Sequence, residues 1–532
     1  MKLKSKDNNW SWLSKKHNIG LIVGPLVFVA IVLMPVPHSM AKTAEDRSVS
    51  TFAPQLALGT MFWMVVWWIT ESVPLGITGM LAPVIFAVSG ILTVRQALQN
   101  FADPIIWIFV AGFILAASFQ RWSLDKRIAY SLAGLYRGNN PMIATFFIAC
   151  LPVFLLTMTG SITASTTIVF PFLIAFMKIL NIPTRTSNER ADTANTAGPA
   201  TKTSSNYAEA SFLSLGQAAS SGAMLLLIST APNLIAKATV EEFVPGQTIS
   251  FVDWFVIGTP HAVIGLFISW IIVFLMIKPE IKTIPATRDQ FKASLKAMGK
   301  MQQEEKMVLA ILIVAMLLWI VPSLIRSHGP ITGENAFSNF VNSFAANVTE
   351  AVPALIIIMA IATVRTGRNR PHILKLDDMM RAVDWNIVML FGGGLALGMG
   401  MEASGLADWI GTQISLIISG MGATPFIVFS VSAIMAFVIS YTASNTAAAV
   451  ITCPIAAALA IGTGINPIPP IIAAGLACSI SSAIPSTTPP MAIVYSSRTV
   501  KIYNMLKTGI ISDLIRLALL IFIGPLLIGL IF

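Results

Sequence analysis

Two short clusters of serine, threonine and asparagine lie inside long apolar surroundings. Thr159-Gly160-Ser161-Ile162-Thr163-Ala164 is followed by Pro171, and Thr442-Ala443-Ser444-Asn445-Thr446-Ala447 is followed by Pro454. Superposed at an offset of 283 residues (161 to 444, 171 to 454), the stretches agree at Thr, Ser, Thr, Ala, Ile and Pro. A second pair lies downstream: Ser229-Thr230-Ala231-Pro232-Asn233 in the first half and Thr487-Thr488-Pro489-Pro490-Met491 in the second. Upstream, Asp103-Pro104-Ile105-Ile106 and Asp384-Trp385-Asn386-Ile387 each open a glycine-containing apolar segment. The chemistry open to such residues is coordination without a fixed charge. Where a helix unwinds beside small residues and proline, freed carbonyls and hydroxyls can hold a hard cation. Amides and half-helix N-termini can face an anion. Serine and threonine also mediate plain helix packing, which is the alternative reading of any single cluster. Matched clusters in the same order in two halves favour a midplane binding site of a transporter.

The elements that position these residues follow from composition. The chain has 532 residues, 55% hydrophobic and 11% charged, with a mean hydropathy of +0.78. Globular domains carry roughly 25% charged residues. The deficit runs over the whole length and leaves no large water-soluble domain. Sixteen apolar stretches can be marked between residues 19 and 531, several of them short and cut by Gly, Ser, Thr or Pro. A crossing needs about 20 apolar residues, so short interrupted pieces read as hairpins or unwound helices. The thirty prolines and thirty-five glycines argue against uninterrupted rods.

Charge sets orientation. The net charge of +10 is clustered between apolar runs, the pattern of cytoplasmic loops, and no nucleic-acid partner is expected. Residues 278–306 carry Lys278, Lys282, Arg288, Lys292, Lys296, Lys300 and Lys306, whereas 37–55 holds only Lys42 and Arg47. The first apolar run follows Lys2, Lys4, Lys6, Lys15 and Lys16 and is longer than a signal-peptide core of about 7–15 residues. It is read as an uncleaved first helix with its N-terminus cytoplasmic and the C-terminus outside. Thr184 to Ala210 reads as a flexible polar loop. Residues 284–306 space Phe291, Leu295, Met298 and Met301 by threes and fours between lysines. That segment is either a cationic amphipathic helix on the membrane surface or a simple connector.

Enzyme chemistry has no visible engine. HExxH, Walker A, CxxC and GxSxG patterns are absent, the five histidines are scattered, and Cys150, Cys453 and Cys478 lie far apart. The protein is read as not an enzyme, without cofactor or transition-metal site. Glu71, Glu350 and Glu402 lie at or near apolar segments. Each either reaches interfacial water at a span's end or, if buried, opens proton coupling.

At the same clusters the chain resembles the divalent anion/sodium symporters, a family of sodium-coupled dicarboxylate, citrate and sulfate carriers. Ser444-Asn445-Thr446 and Thr488-Pro489-Pro490 match its signatures. Further resemblance lies in Trp67-Trp68-Ile69-Thr70-Glu71-Ser72-Val73-Pro74 and Val388-Met389-Leu390-Phe391-Gly392-Gly393-Gly394-Leu395. It covers about residues 20–531. The resemblance implies an all-α polytopic membrane protein of two inverted repeats with re-entrant hairpins and broken helices, preceded by an extra first helix. Residues 1–54 would form the N-terminus, first helix and outer loop. The first repeat would span 55–277, with a hairpin from about 103 and a broken helix at 161–163. A cytoplasmic connector at 278–306 would lead to the second repeat, 307–532, with a hairpin from about 384 and a broken helix at 444–446. An elevator-like homodimer is implied. So are cation-binding roles for Ser161, Gly222, Thr230, Thr442, Ala443, Ser444 and Asn445, and substrate contacts from Thr163, Asn445, Thr446, Thr488 and Pro489. The coupling ion would be Na⁺ and the partner a small dicarboxylate or related divalent anion, within a lipid bilayer.

Three departures stand out: Ile162 replaces the Asn of the first signature, Ala231 the first Pro of Thr-Pro-Pro, and Met491 a frequent Asn. Anion exchange, proton-coupled transport of citrate, tartrate or sulfate, and a non-transporting receptor stay open as alternatives.

Overall fold

The computed structural model describes residues 16–182, 184, 205–285, 288–329, 335–365, 372–419 and 424–532. Most of the predicted polar loop at 184–210 lies outside the described residues, as does the stretch with Arg368 and Arg370. Among the described residues the repeating element is the helix, with one isolated bridge between Arg365 and His372. Nine described helices are long and apolar enough to cross a membrane, or up to 11 if each of two sharply bent pairs is one span. The protein is therefore an all-α, multi-pass membrane protein. Exposed Leu, Ile, Phe and Val line the outer faces of helices such as Ile502–Ile528, where Phe522 and Leu526 are about 70% exposed. Lipid is the medium that such surfaces fit.

The helices form two compact units. The first comprises Met1–Ile106, Ile235–Thr248 and Asp384–Gly475; the second comprises Trp107–Leu234, Ile249–Val383 and Leu476–Phe532. In the first unit, Pro425–Thr442 and Leu406–Ser419 both pack on Asn445–Gly462. In the second, Phe251–Met276 packs on Asn206–Gly222 and on Ile502–Ile528. Ile162–Ile179 and Pro489–Ser496 also lie against Asn206–Gly222.

Asp103 and Asp384 turn out to be equivalent for a simple reason: each is a helix cap. The Asp103 carboxylate accepts from the Ile105 amide (2.8 Å), and the Asp384 carboxylate from the amides of Asn386 (3.1 Å) and Ile387 (3.4 Å). An acidic cap satisfies orphan amides and complements the helix dipole. The helices they start are Pro104–Arg121 and Trp385–Ala403. The chain turns back at the signatures themselves. Ile162–Ile179 packs along Phe146–Leu156, the end of the helix before it, and Asn445–Gly462 packs along Pro425–Thr442.

Two open questions are narrowed. Within 284–306 a short helix runs over Arg288–Ala297 and the next begins at Gln303, and Phe291 is buried against Phe176 and the helix Leu124–Ala133. The apolar side of that helix thus meets protein in the second unit. Glu350 is buried, 7% exposed, and pairs with Arg326 at 3.0 Å. Glu71 is exposed, at a left-handed position that ends the helix Ala53–Thr70.

Candidate functional site

The signature serines do the same local work in both halves. Ser161 is extended (φ −149°, ψ 109°) and its hydroxyl accepts from the Ala164 amide at 3.1 Å, capping Ile162–Ile179. Ser444 is extended as well (φ −64°, ψ 148°) and caps Asn445–Gly462 through the Ala447 amide at 3.3 Å. Serine is favoured there because its side chain replaces the hydrogen bond that a helix start lacks. The second pair shares the extended backbone but shows no side-chain cap bond at Thr488. Thr230 (φ −155°, ψ 157°) precedes the helix Ala231–Phe243, and Thr488 (φ −140°, ψ 145°) precedes Pro489–Ser496. Each of these signature hydroxyl residues therefore stands in extended backbone at a helix N-terminus, where unpaired amides and the dipole favour negative charge.

The second unit brings several of the expected residues together. The turn Thr157–Thr159 packs on Leu227–Ser229, and Ile162–Ile179 packs on Pro489–Ser496. Ser161, Thr163, Gly222, Thr230, Thr488 and Pro489 thus belong to one cluster of packed segments. Thr163 and Pro489 are exposed, Ser161 and Thr230 half-buried, and Thr488 buried. Thr442, Ala443, Ser444, Asn445 and Thr446 belong to the first unit. There Asn445 is 8% exposed, Ala443 buried, Ser444 and Thr446 half-buried and Thr442 exposed.

Gly160 makes the first turn. Its φ is +96°, and a Cβ placed on it would lie 2.9 Å from the Gly112 Cα. Both the left-handed backbone and the backbone contact require glycine. Gly160→Ala should therefore lower thermal stability by about 1–3 kcal/mol, the range for a strained non-glycine position, and shift the turn. A melting curve of the purified protein checks it; wild-type stability would show that the turn relaxes freely.

Not every backbone group near the site is free to bind. The Gly222 carbonyl already accepts from the Thr157 hydroxyl (2.9 Å) and the Leu225 amide (3.1 Å), so a cation there must displace one of them. The following carbonyls are tied down as well. Asn233 donates its amide to Ala223 and Leu226 (both 2.8 Å), Trp254 donates to Met224 (3.2 Å), and Thr259 donates to Leu225 (3.1 Å). The break at 223–230 is a braced loop and not a frayed one. Asn233 is a residue that sequence reasoning quoted but gave no role. Its position three residues after Thr230, in a run with Pro, was the available signal. Thr488 is the opposite case: its hydroxyl is buried and makes no hydrogen bond among the described residues. A native orphan of that kind calls for a partner.

Among the described residues no group of three or more His, Cys, Asp or Glu is placed to hold a metal, and the three cysteines are buried and outside any disulfide. The cluster can offer neutral oxygens and helix N-termini to a small charged solute.

Comparison with known proteins agrees with this chemistry. The family model described as the sodium:sulfate symporter transmembrane region matches residues 15–531. The sodium-dependent dicarboxylate transporter SdcS of Staphylococcus saprophyticus is 30% identical over 517 residues, covering 96% of this chain and 92% of that protein. SdcS of Staphylococcus aureus is 29% identical over 530 residues, covering 99% and 94%. Among solved structures, Neisseria gonorrhoeae MtrF superposes with a TM-score of 0.51 at 12% identity, over 84% of each chain. The Alcanivorax borkumensis YdaH transporter gives 0.51 at 14% identity, over 82% of this chain and 87% of that one. At such identities the likeness is one of fold. Full-length agreement with the family model, joined to hydroxyl-headed helix starts in an all-helical membrane fold, settles the class: this chain belongs to the sodium:sulfate symporter family and is a membrane transporter, not an enzyme.

Proposed function

We propose that the protein is a secondary active transporter that moves C4-dicarboxylates such as succinate, malate and fumarate by symport with Na⁺. The observation that carries this reading is the set of signature residues Ser161, Thr230, Ser444 and Thr488, each at the extended start of a helix. The similar SdcS proteins are named as sodium-dependent dicarboxylate transporters, which supports the substrate class and the ion. In this reading Ser161, Gly222, Thr230, Thr442, Ala443, Ser444 and Asn445 serve the cations. Thr163, Asn445, Thr446, Thr488 and Pro489 serve the carboxylates. No Arg or Lys lies within the motifs, so bound Na⁺ and helix N-termini supply the positive field. Anion binding then depends on the cation. Two inverted repeats, an elevator-type cycle in a homodimer, a cytoplasmic N-terminus and an outer C-terminus complete the proposal.

Uptake of labelled succinate into proteoliposomes tests it. Replacing external Na⁺ with choline should reduce uptake to the level of empty vesicles, and unchanged uptake excludes sodium coupling. Counterflow without a sodium gradient separates an exchanger from a symporter.

Ile162 occupies the first position of its helix, as Asn445 does in the second half. Restoring the amide there with Ile162→Asn should change the half-saturating Na⁺ concentration or the preference among dicarboxylates by roughly tenfold, since a hydrogen bond to a charged group contributes about 1.5–3 kcal/mol. Equal kinetics for both proteins across a sodium titration and a substrate panel would make this position structural.

A further inference from the structure

The last helix, Ile502–Ile528, carries two ionisable residues in the middle of an apolar run: Asp513 and Arg516, 0% and 4% exposed. Charges so placed are costly and mark function or tight pairing. Here both turn toward one stretch of backbone. The Asp513 carboxylate accepts from the Ser482 amide (2.6 Å) through one oxygen and from the Ser482 hydroxyl (2.8 Å) through the other. Arg516 donates to the Ile480 carbonyl at 3.1 Å and lies 3.5 Å from Asp513. Ile480, Ser481 and Ser482 are all at most 1% exposed. The helix Phe251–Met276 makes room for the guanidinium at Gly265, where a Cβ would lie 2.9 Å from Arg516 Nε. Gln217 adds a parallel link, with its amide at 3.4 Å from the Thr508 hydroxyl and 3.3 Å from that of Ser512.

The gripped stretch leads directly to Thr487, Thr488 and Pro489. Between Ser482 and the helix at Pro489 lie turns and bends with no regular element of their own. Thr488 has no side-chain cap bond to fix it, so its place is set from the ends of that segment. We propose that Asp513 and Arg516 are positioning residues: by holding Ile480 and Ser482 they place the Thr488 hydroxyl and the start of the helix Pro489–Ser496 for ligand. The proposal rests on the reading of Thr488 as a ligand-binding residue. Two side chains three apart on one helix face give a rigid grip, and the paired charges hold each other while both bind backbone or side-chain groups of the other strand of chain.

The test uses the full-length protein in proteoliposomes, with Asp513→Asn and Ser482→Ala, the second of which leaves the ion pair intact. Hydrogen–deuterium exchange over 479–488 should rise at least tenfold in both variants. The KM for labelled succinate should rise at least tenfold in Asp513→Asn and at least threefold in Ser482→Ala, with Vmax within about twofold of wild type. Combined with Thr488→Val, neither variant should raise KM beyond Thr488→Val alone, because they act through the same hydroxyl. Unchanged exchange in both variants, or KM effects that multiply with Thr488→Val, would overturn the proposal. Wild-type vesicles that take up no succinate with Na⁺ would refute the substrate reading instead, and the exchange measurement would still decide whether the grip exists.

Discussion

Asn445→Ala abolishes sodium-dependent succinate uptake while the protein stays folded: this is the largest effect expected of any single substitution. Asn445 is the first residue of the helix Asn445–Gly462, directly after the Ser444 cap, and is 8% exposed. Its side-chain amide offers both a donor, which suits a carboxylate, and an acceptor, which suits a cation, and the helix start itself favours the carboxylate. A hydrogen bond to a charged group contributes about 1.5–3 kcal/mol, which corresponds to a 10- to 150-fold loss of affinity for each ligand it serves. If Asn445 contacts both cation and anion, the losses compound, and uptake falls below detection. The helix start should survive, because its cap, the Ser444 hydroxyl accepting from the Ala447 amide, does not involve the substituted side chain. Uptake assays beside a thermal melt check it. Near-normal transport would remove Asn445 from the site.

Thr488→Val gives the second large effect, and its two halves point in opposite directions. The Thr488 hydroxyl is buried, 2% exposed for the residue, and forms no hydrogen bond among the described residues. An unsatisfied buried hydroxyl costs about 1–3 kcal/mol. Valine has the same shape without that group, so the melting temperature of the ligand-free protein should stay level or rise. Ligand affinity should fall at least tenfold, since the group that was held ready is gone. A structural threonine would behave in reverse, losing stability and keeping its kinetics. Fluorescence-monitored unfolding together with uptake kinetics tells the two apart, and wild-type KM would end the assignment.

Much of this was legible in the sequence because it depends on local chemistry. The Ser and Thr caps, the Pro-containing helix starts and the paired Asp103 and Asp384 are properties of a few neighbouring residues, and each half repeats them. Local chemistry has a limit, however. An Asp cap announces that a helix begins, but says nothing of where the chain turns back. That is fixed at Gly160 by its close approach to Gly112, a contact between residues far apart in the chain. The sequence left Glu350 open between a span's end and a buried position, and what decides its environment is Arg326, on a different helix that packs beside it. Phe291 was one side of an amphipathic pattern; whether that side met lipid or protein depended on Phe176.

By itself, then, the sequence determined that this is a many-spanning helical membrane protein with two related sets of hydroxyl-rich interruptions, because hydropathy and capping are read residue by residue. Only the tertiary structure decided which polar groups are already committed. The Gly222 carbonyl is taken by Thr157 and the loop after it by Asn233, whereas the Thr488 hydroxyl is left over and Asp513 grips Ser482. Hydrogen-bond satisfaction in a membrane interior is a property of the packed whole, since each buried group finds its partner on whichever segment the fold brings alongside.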